Sequence, residues 1–137
     1  MPYYAVIDTN VIVAAILSKK SDTATVKVIN AVFSGMIIPL FCNEIIEEYE
    51  NVLRRDKFHL KEETIQKVLT AVQKFGVAIF PESTGKILLD MDDLVFYEVA
   101  FTVKDAYLIT GNKKHYPAEK FIVSPSEMII ILGDTPR

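Results

Sequence analysis

The sequence predicts an α/β fold in which a central parallel sheet of about four to five strands is covered by helices on both faces. Two observations carry this. Short apolar runs alternate with amphipathic stretches along the chain, and 137 residues with 50% hydrophobic content suffice for one substantial core. No repeat, low-complexity tract or linker rich in Gly, Pro or Ser interrupts the pattern, so residues 1–137 read as one domain.

Each element has its own signal. YYAVI, residues 3–7, reads as a buried strand, and NVIVAAILS, residues 10–18, as a helix apolar nearly all round. Ser21 and Asp22 are expected to cap a second helix over residues 23–34, which Gly35 stops. MIIPLF is the next strand. A charged amphipathic helix spans residues 43–55 and another residues 61–75, ended by Gly76 before the strand VAIF. An irregular stretch from Pro81 leads into a helix over residues 92–103. The strand AYLIT, the polar turn GNKKHYP, the short strand FIV and the helix SPSEMIIIL complete the chain.

Composition removes several function classes. The formal net charge of -3 disfavours general coating of nucleic acid. One cysteine, Cys42, forms no internal disulfide, and with two isolated histidines it cannot build a structural zinc site. Cys42 itself reads as a small buried apolar residue. The five glycines make neither GxGxxG nor P-loop spacing, and no Cys-His or Ser-His-Asp arrangement is visible. No apolar run approaches the about 20 residues that span a bilayer, and the N-terminus carries no secretory signal pattern, so a cytoplasmic location without membrane association is expected.

Acidic residues remain at three places. Asp8 follows the first strand, where open parallel sheets form their sites at strand carboxyl ends; as an N-cap for the following helix it also has an ordinary role. Thr110, Gly111 and Asn112 reach the same edge after AYLIT. In the helix over residues 43–55, Ile45, Ile46, Tyr49, Val52 and Leu53 form the buried stripe. Glu44 and Glu47 then face solvent, while Glu48 and Glu50 lie on the flanks, from which a cleft is reachable; pairing with Arg54 or Arg55 is the plain alternative. In DMDDLVFYEVA, Asp93 lies at the edge of the face formed by Phe96, Val99, Ala100 and Val103. Asp90 with Asp93 also resembles a capping box, Asp92 is a cap or a solvent-facing acid, and Glu98 points further from the core.

Three acids converging at one sheet edge repel one another unless positive charge offsets them. A hard divalent cation suits that role: Mg²⁺ or Mn²⁺ takes oxygen ligands, keeps waters and is held by few carboxylates together with substrate phosphate. Phosphodiester hydrolysis is the reaction class this arrangement suggests.

Taken in order, Asp8 in VIDTNVIV, Glu48 in CNEIIEEYENVLRRDKF, Asp93 in DMDDLVFYEVA and the segment DAYLITGNKKHYP resemble the successive motifs of PIN-domain proteins, from Tyr4 to Val123. The resemblance implies a three-layer α/β/α, Rossmann-like PIN fold. It is strongest to the branch of VapC-like toxin components of bacterial toxin–antitoxin pairs, whose relatives are metal-dependent ribonucleases. It selects Glu48 over Glu50 and implies that Asp8, Glu48 and Asp93 hold Mg²⁺ or Mn²⁺, with Asn112 and Thr110 completing a catalytic pocket. RNA is the implied substrate, a small antitoxin the implied partner, and a homodimer the implied assembly.

The chain departs from the family at Asn112, where many members carry Asp; Asn offers a neutral carbonyl oxygen and brings no charge, and it is also an ordinary turn residue. Asn10 and Thr9 are placed to orient Asp8 or to make the turn, and Glu98 to join the pocket as an outer member. Lys113, Lys114, His115, Arg54 and Arg55 are the candidates for RNA-backbone contact, against the plain alternative of a solvated surface. A non-catalytic PIN-like binding module is the main rival. A haloacid-dehalogenase-like phosphatase needs a second Asp where Asn10 stands, and a receiver domain needs an acceptor Asp after VAIF.

Overall fold

A computed structural model describes residues 2–133. The one-domain expectation runs to both termini, and its ends, residue 1 and residues 134–137, lie outside the described residues. The elements follow one another as β1 (Tyr3–Ile7), α1 (Thr9–Leu17), α2 (Ala24–Phe33), β2 (Ile37–Phe41), α3 (Asn43–Leu53), α4 (Glu62–Phe75), β3 (Val77–Ala78), α5 (Leu94–Thr102), β4 (Tyr107–Ile109), β5 (Ile122–Val123) and α6 (Pro125–Ile131).

The five strands form one sheet in the order β3-β2-β1-β4-β5, with every pairing parallel. Helices cover it to give the three-layer α/β/α arrangement of a PIN fold: α2 lies against α1, α4 and α6, while α5 packs on β1 and β4. β1 is central because Ala5, Val6 and Ile7 are apolar in succession and buried on both faces, as an interior parallel strand requires. Its register sets Ile7 beside Ile109, and the ladder continues with Asp8 N–H donating to Ile109 O at 2.9 Å. The carboxyl ends of β1 and β4 therefore finish side by side.

Several boundaries differ from the sequence expectation. Helix α2 is capped by Thr23, whose Oγ1 accepts from Val26 N–H at 3.4 Å, and not by Ser21 or Asp22. The predicted strand VAIF is strand only over Val77–Ala78. Ile79 still donates to Phe41 O at 2.8 Å, but Phe80 leaves the edge and is 97% exposed. The helix expected from residue 92 begins at Leu94, after a 3₁₀ turn over Met91–Asp93. Asp90 caps that turn by accepting from Asp92 N–H at 2.9 Å; the side chain of Asp93 makes no capping bond, so there is no reciprocal box. At α6 the local reading holds: Ser124 and Glu127 form a capping box with Pro125 at the first turn. Cys42 is half-buried at the start of α3.

Candidate active site

Asp8 occupies the N-cap position of α1 without making a side-chain capping bond. Its carboxylate is turned to β4 and the turn beyond it. Thr110 Oγ1 donates to Asp8 Oδ2 at 2.7 Å, Tyr116 Oη at 3.0 Å and Asn10 Nδ2 at 3.3 Å; all three side-chain bonds fall on the same oxygen. Thr110 is itself oriented, because its hydroxyl accepts from Asn112 N–H at 3.0 Å. Asn10 accepts from Gly111 N–H at 3.1 Å, tying the start of α1 to the end of β4. Asp8 is only 6% exposed, and burial raises its pKa against the lowering effect of the bonds from Thr110 and Tyr116.

Glu48 is positioned by its neighbour. Tyr49 is buried on the apolar stripe of α3, and its hydroxyl donates to Ile7 O at 2.5 Å, which fixes the helix under the end of β1. The Tyr49 and Phe96 rings, 6.1 Å apart, couple α3 to α5. Glu48 is half-buried on the flank of that stripe and is raised in pKa by burial first, then by Asp92, against Arg55. Asp93, at the start of α5, is pushed up to about 6 by burial and by Asp8, Asp90 and Glu48, while His115 opposes the shift. His115 Nδ1 stands 3.8 Å from Asp93 Oδ2. Asp8, Glu48 and Asp93 thus sense one another at the carboxyl edge of the sheet, and each holds its proton more tightly than a free carboxyl does.

Asp8, Glu48 and Asp93 offer only oxygen atoms, the ligand type that a hard divalent ion takes. Among the described residues no three His, Cys, Asp or Glu side chains are gathered into a ready-made ion cage. An ion here would rely on water or phosphate oxygens to complete its shell.

The remaining expected residues divide. Glu98 borders the same groove as Glu48, but its Oε2 accepts from Thr84 N–H at 2.6 Å and Thr84 Oγ1 at 2.9 Å, so it pins the loop before α5. Asn112 is exposed, and its side chain caps nothing. Arg54, expected near RNA, is bound on the outer surface by Glu50 at 3.0 Å and Glu62 at 2.7 Å and clamps α3 to α4. Lys113 pairs with Glu127 at 2.9 Å and ties the turn to α6. Arg55 lies close enough to Glu48 to lower its pKa, and Lys114 is exposed beside His115. Glu44 and Glu47 are exposed, as expected, but they line the groove with Glu48.

Tyr116 and the hydroxyl of Tyr49 are absent from the sequence-based site. The available signal was a buried-type aromatic closing the polar turn GNKKHYP, and a Tyr where the α3 stripe accepts any apolar residue.

The family model of the PIN domain matches residues 4–114, a span that holds Asp8, Glu48, Asp93, Thr110 and Asn112. The chain belongs to the PIN-domain family. A PIN domain is a nuclease-type fold; members generally act on nucleic acid and typically use divalent metals. The chain is also similar to uncharacterized protein MJ1680 of Methanocaldococcus jannaschii, 31% identical over 111 residues that cover 79% of this chain and 70% of that protein. The PIN match ends before Tyr116, so one of the three side-chain donors to Asp8 lies beyond it. Among the described residues, no helix is long and apolar enough to cross a membrane.

Proposed function

We propose that this PIN domain is a Mg²⁺- or Mn²⁺-dependent endoribonuclease and the VapC-like toxin member of a toxin–antitoxin pair, acting in the cytoplasm. The observation that supports the proposal is that Asp8 at the end of β1, Glu48 on α3 and Asp93 at the start of α5, from three separate segments, lie close enough for Asp8 to raise the pKa of both other acids. Their pKa values are raised first by burial and, at Glu48 and Asp93, also by neighbouring acids, a combination common at functional sites.

Asp8, Glu48 and Asp93 would hold the ion, with Asn112 supplying a neutral oxygen nearby. A bound divalent ion supplies positive charge for the phosphate and a more acidic water for attack. The chain's own residues set the geometry. Thr110, Tyr116 and Asn10 hold Asp8 in one orientation, and the Tyr49 and Phe96 packing keeps Glu48 and Asp93 on facing elements. A phosphodiester in this space is hydrolysed when a water oxygen bonds to phosphorus and the ribose oxygen leaves with a proton.

The direct test is cleavage of labelled RNA with Mg²⁺ or Mn²⁺ by wild type, Asp8→Asn and Asp93→Asn. Wild type is expected to cleave and both variants to lose most activity; equal, poor cleavage by all three removes the nuclease proposal. For the toxin role, induced expression is expected to arrest growth, with relief by a small antitoxin encoded next to this chain. The homodimer expectation is tested by sedimentation.

A second reading, a non-catalytic RNA- or protein-binding module, draws on Asn112 and on the open arrangement of the acids. It predicts RNA retention without divalent-dependent cleavage.

A further inference from the structure

Residues 79–90, between β3 and α5, form a strap across one side of the site. It is fixed at three points: Glu82 N–H donates to Thr102 Oγ1 at 2.8 Å, Thr84 is held by Glu98, and the side chain of Leu88 is 7% exposed. Ile87 and Leu89, on either side of Leu88, are 88% and 84% exposed. Gly85, at a φ of 72°, makes the turn that precedes exposed Lys86. Over residues 86–89 the strap thereby presents Lys86, Ile87 and Leu89 outward, with the exposed acids Glu82 and Asp90 towards its two ends.

Opposite it lies the turn after β4. Strap and turn enclose a cleft of about 500 Å³ lined by Lys86, Ile87, Leu89, Lys114, His115 and Tyr116. Two of these reach the site directly, Tyr116 bonding Asp8 and His115 facing Asp93. A neighbouring hollow adds Lys120 and Glu119 to the same side. Just beyond the strap the sign of the surface reverses: Met91 and Asp92 border a second groove with Glu44, Glu47, Glu48 and Glu98. Asp8 and Asp93 therefore adjoin the cationic cleft, through Tyr116 and His115, while Glu48 lines the anionic groove. A phosphate backbone is attracted along the first and repelled along the second.

We propose that the Lys86–Lys114 cleft is the binding site for the single-stranded RNA flanking the reacting phosphate, and that the strand leaves the site on this side only. It rests on the ribonuclease function proposed for the carboxylates and adds the path of the substrate. Lys86 and Lys114 meet successive phosphates. Ile87 and Leu89 offer apolar surface to unstacked bases, which single strands present and duplexes keep inside. With a formal net charge of -3, the chain has no general attraction for RNA, so a local cationic track must supply it.

The experiment measures binding of a short labelled single-stranded RNA by fluorescence anisotropy in EDTA, so that binding is read without cleavage. Proteins compared are wild type, Lys86→Glu with Lys114→Glu, and Lys74→Glu on α4 as a control for charge alone. The double variant is expected to bind more weakly and to show a salt dependence shallower by about 1.4 log units per log unit, about 0.7 for each lost phosphate contact, while the control binds as wild type. RNA carrying 4-thiouridine is expected to cross-link within Lys86 to Leu89 and not at Glu44 or Glu47 on the outer part of α3. Unchanged binding by the double variant, an equal loss in the control, cross-links at Glu44 or Glu47 without any within Lys86 to Leu89, or no binding by wild type overturns the proposal. Binding lost in the double variant while wild type fails to cleave with Mg²⁺ or Mn²⁺ upholds the cleft and removes the nuclease; cleavage by wild type with unchanged binding in the double variant does the reverse.

Discussion

Tyr116 donates its hydroxyl to Asp8 Oδ2 at 3.0 Å, across 108 positions of sequence. Burial and the charges of Asp8 and Asp93 drive the phenol's pKa far up, so it remains a donor at any ordinary pH. Together with Thr110 it leaves Asp8 one orientation, which a carboxylate at a strand end would not otherwise have.

Tyr116→Phe keeps the ring and removes the donor. A hydrogen bond to a buried charged group contributes about 1.5–3 kcal/mol, part of which the remaining Thr110 and Asn10 bonds preserve. Thermal unfolding is expected to show a modest loss of stability, and calorimetric titration with Mn²⁺ weaker binding than wild type. Equal Mn²⁺ affinity in the two proteins would assign Tyr116 to packing alone.

Asp93 makes stability depend on pH in a stated direction. Its folded pKa of about 6 exceeds the ordinary aspartate value of 3.8, so between these values the folded chain binds more protons than the unfolded one. Its contribution is greatest below 3.8 and is lost as pH rises through about 6. Asp93→Asn is therefore expected to raise the melting temperature near neutral pH and to flatten its decline with rising pH relative to wild type. Parallel curves for the two proteins would contradict the shift.

Glu98 is expected to guard the strap. Glu98→Ala removes the acceptor for both bonds from Thr84. Limited trypsin digestion of the variant should cut after Lys86 faster than in wild type, with cleavage elsewhere unchanged. A uniform increase across all sites would indicate global destabilisation instead.

At Gly76 the chain has no room for a side chain. A Cβ there would meet the carbonyl oxygens of Pro39 and Val72, each at 2.3 Å. Both are backbone atoms, so the junction of α4 and β3 must shift to accept Ala. Gly76→Ala is expected to lose about 1–3 kcal/mol in urea unfolding, the usual range for overpacking.

What was legible in the sequence had a local cause. Asp8 follows an apolar run whose burial fixed where β1 ends, and Glu48 sits beside a helical stripe whose period gave its flank. Asp93 could be separated from Asp92 because Phe96, Val99 and Ala100 defined a face. Contacts set by the crossing of distant elements were not legible. Arg54 belongs to α4 through Glu62 because of how α3 and α4 meet, and Tyr116 reaches Asp8 only because β4 pairs with β1. VAIF has the composition of a full strand, yet at an edge pairing only with β2 nothing in its own residues tells where pairing stops.

Asn112 is where chemistry and stability can be set against each other. Its backbone N–H holds Thr110, so Asn112→Asp keeps the bond that orients Asp8 while adding an acid at the mouth of a site already short of positive charge. Without a divalent ion, the added carboxylate should raise the repulsion on Asp93 and lower the melting temperature at neutral pH. With Mn²⁺ present, the same charge becomes an additional oxygen ligand or a partner for the ion's waters, and both Mn²⁺ affinity and RNA cleavage should rise above wild type. The stability deficit of the variant is then expected to shrink as Mn²⁺ is added, because ligand binding to the folded state alone offsets it. If affinity, cleavage and the melting difference all remain unmoved by the ion, residue 112 lies outside the ion's reach, and its neutrality has no bearing on activity.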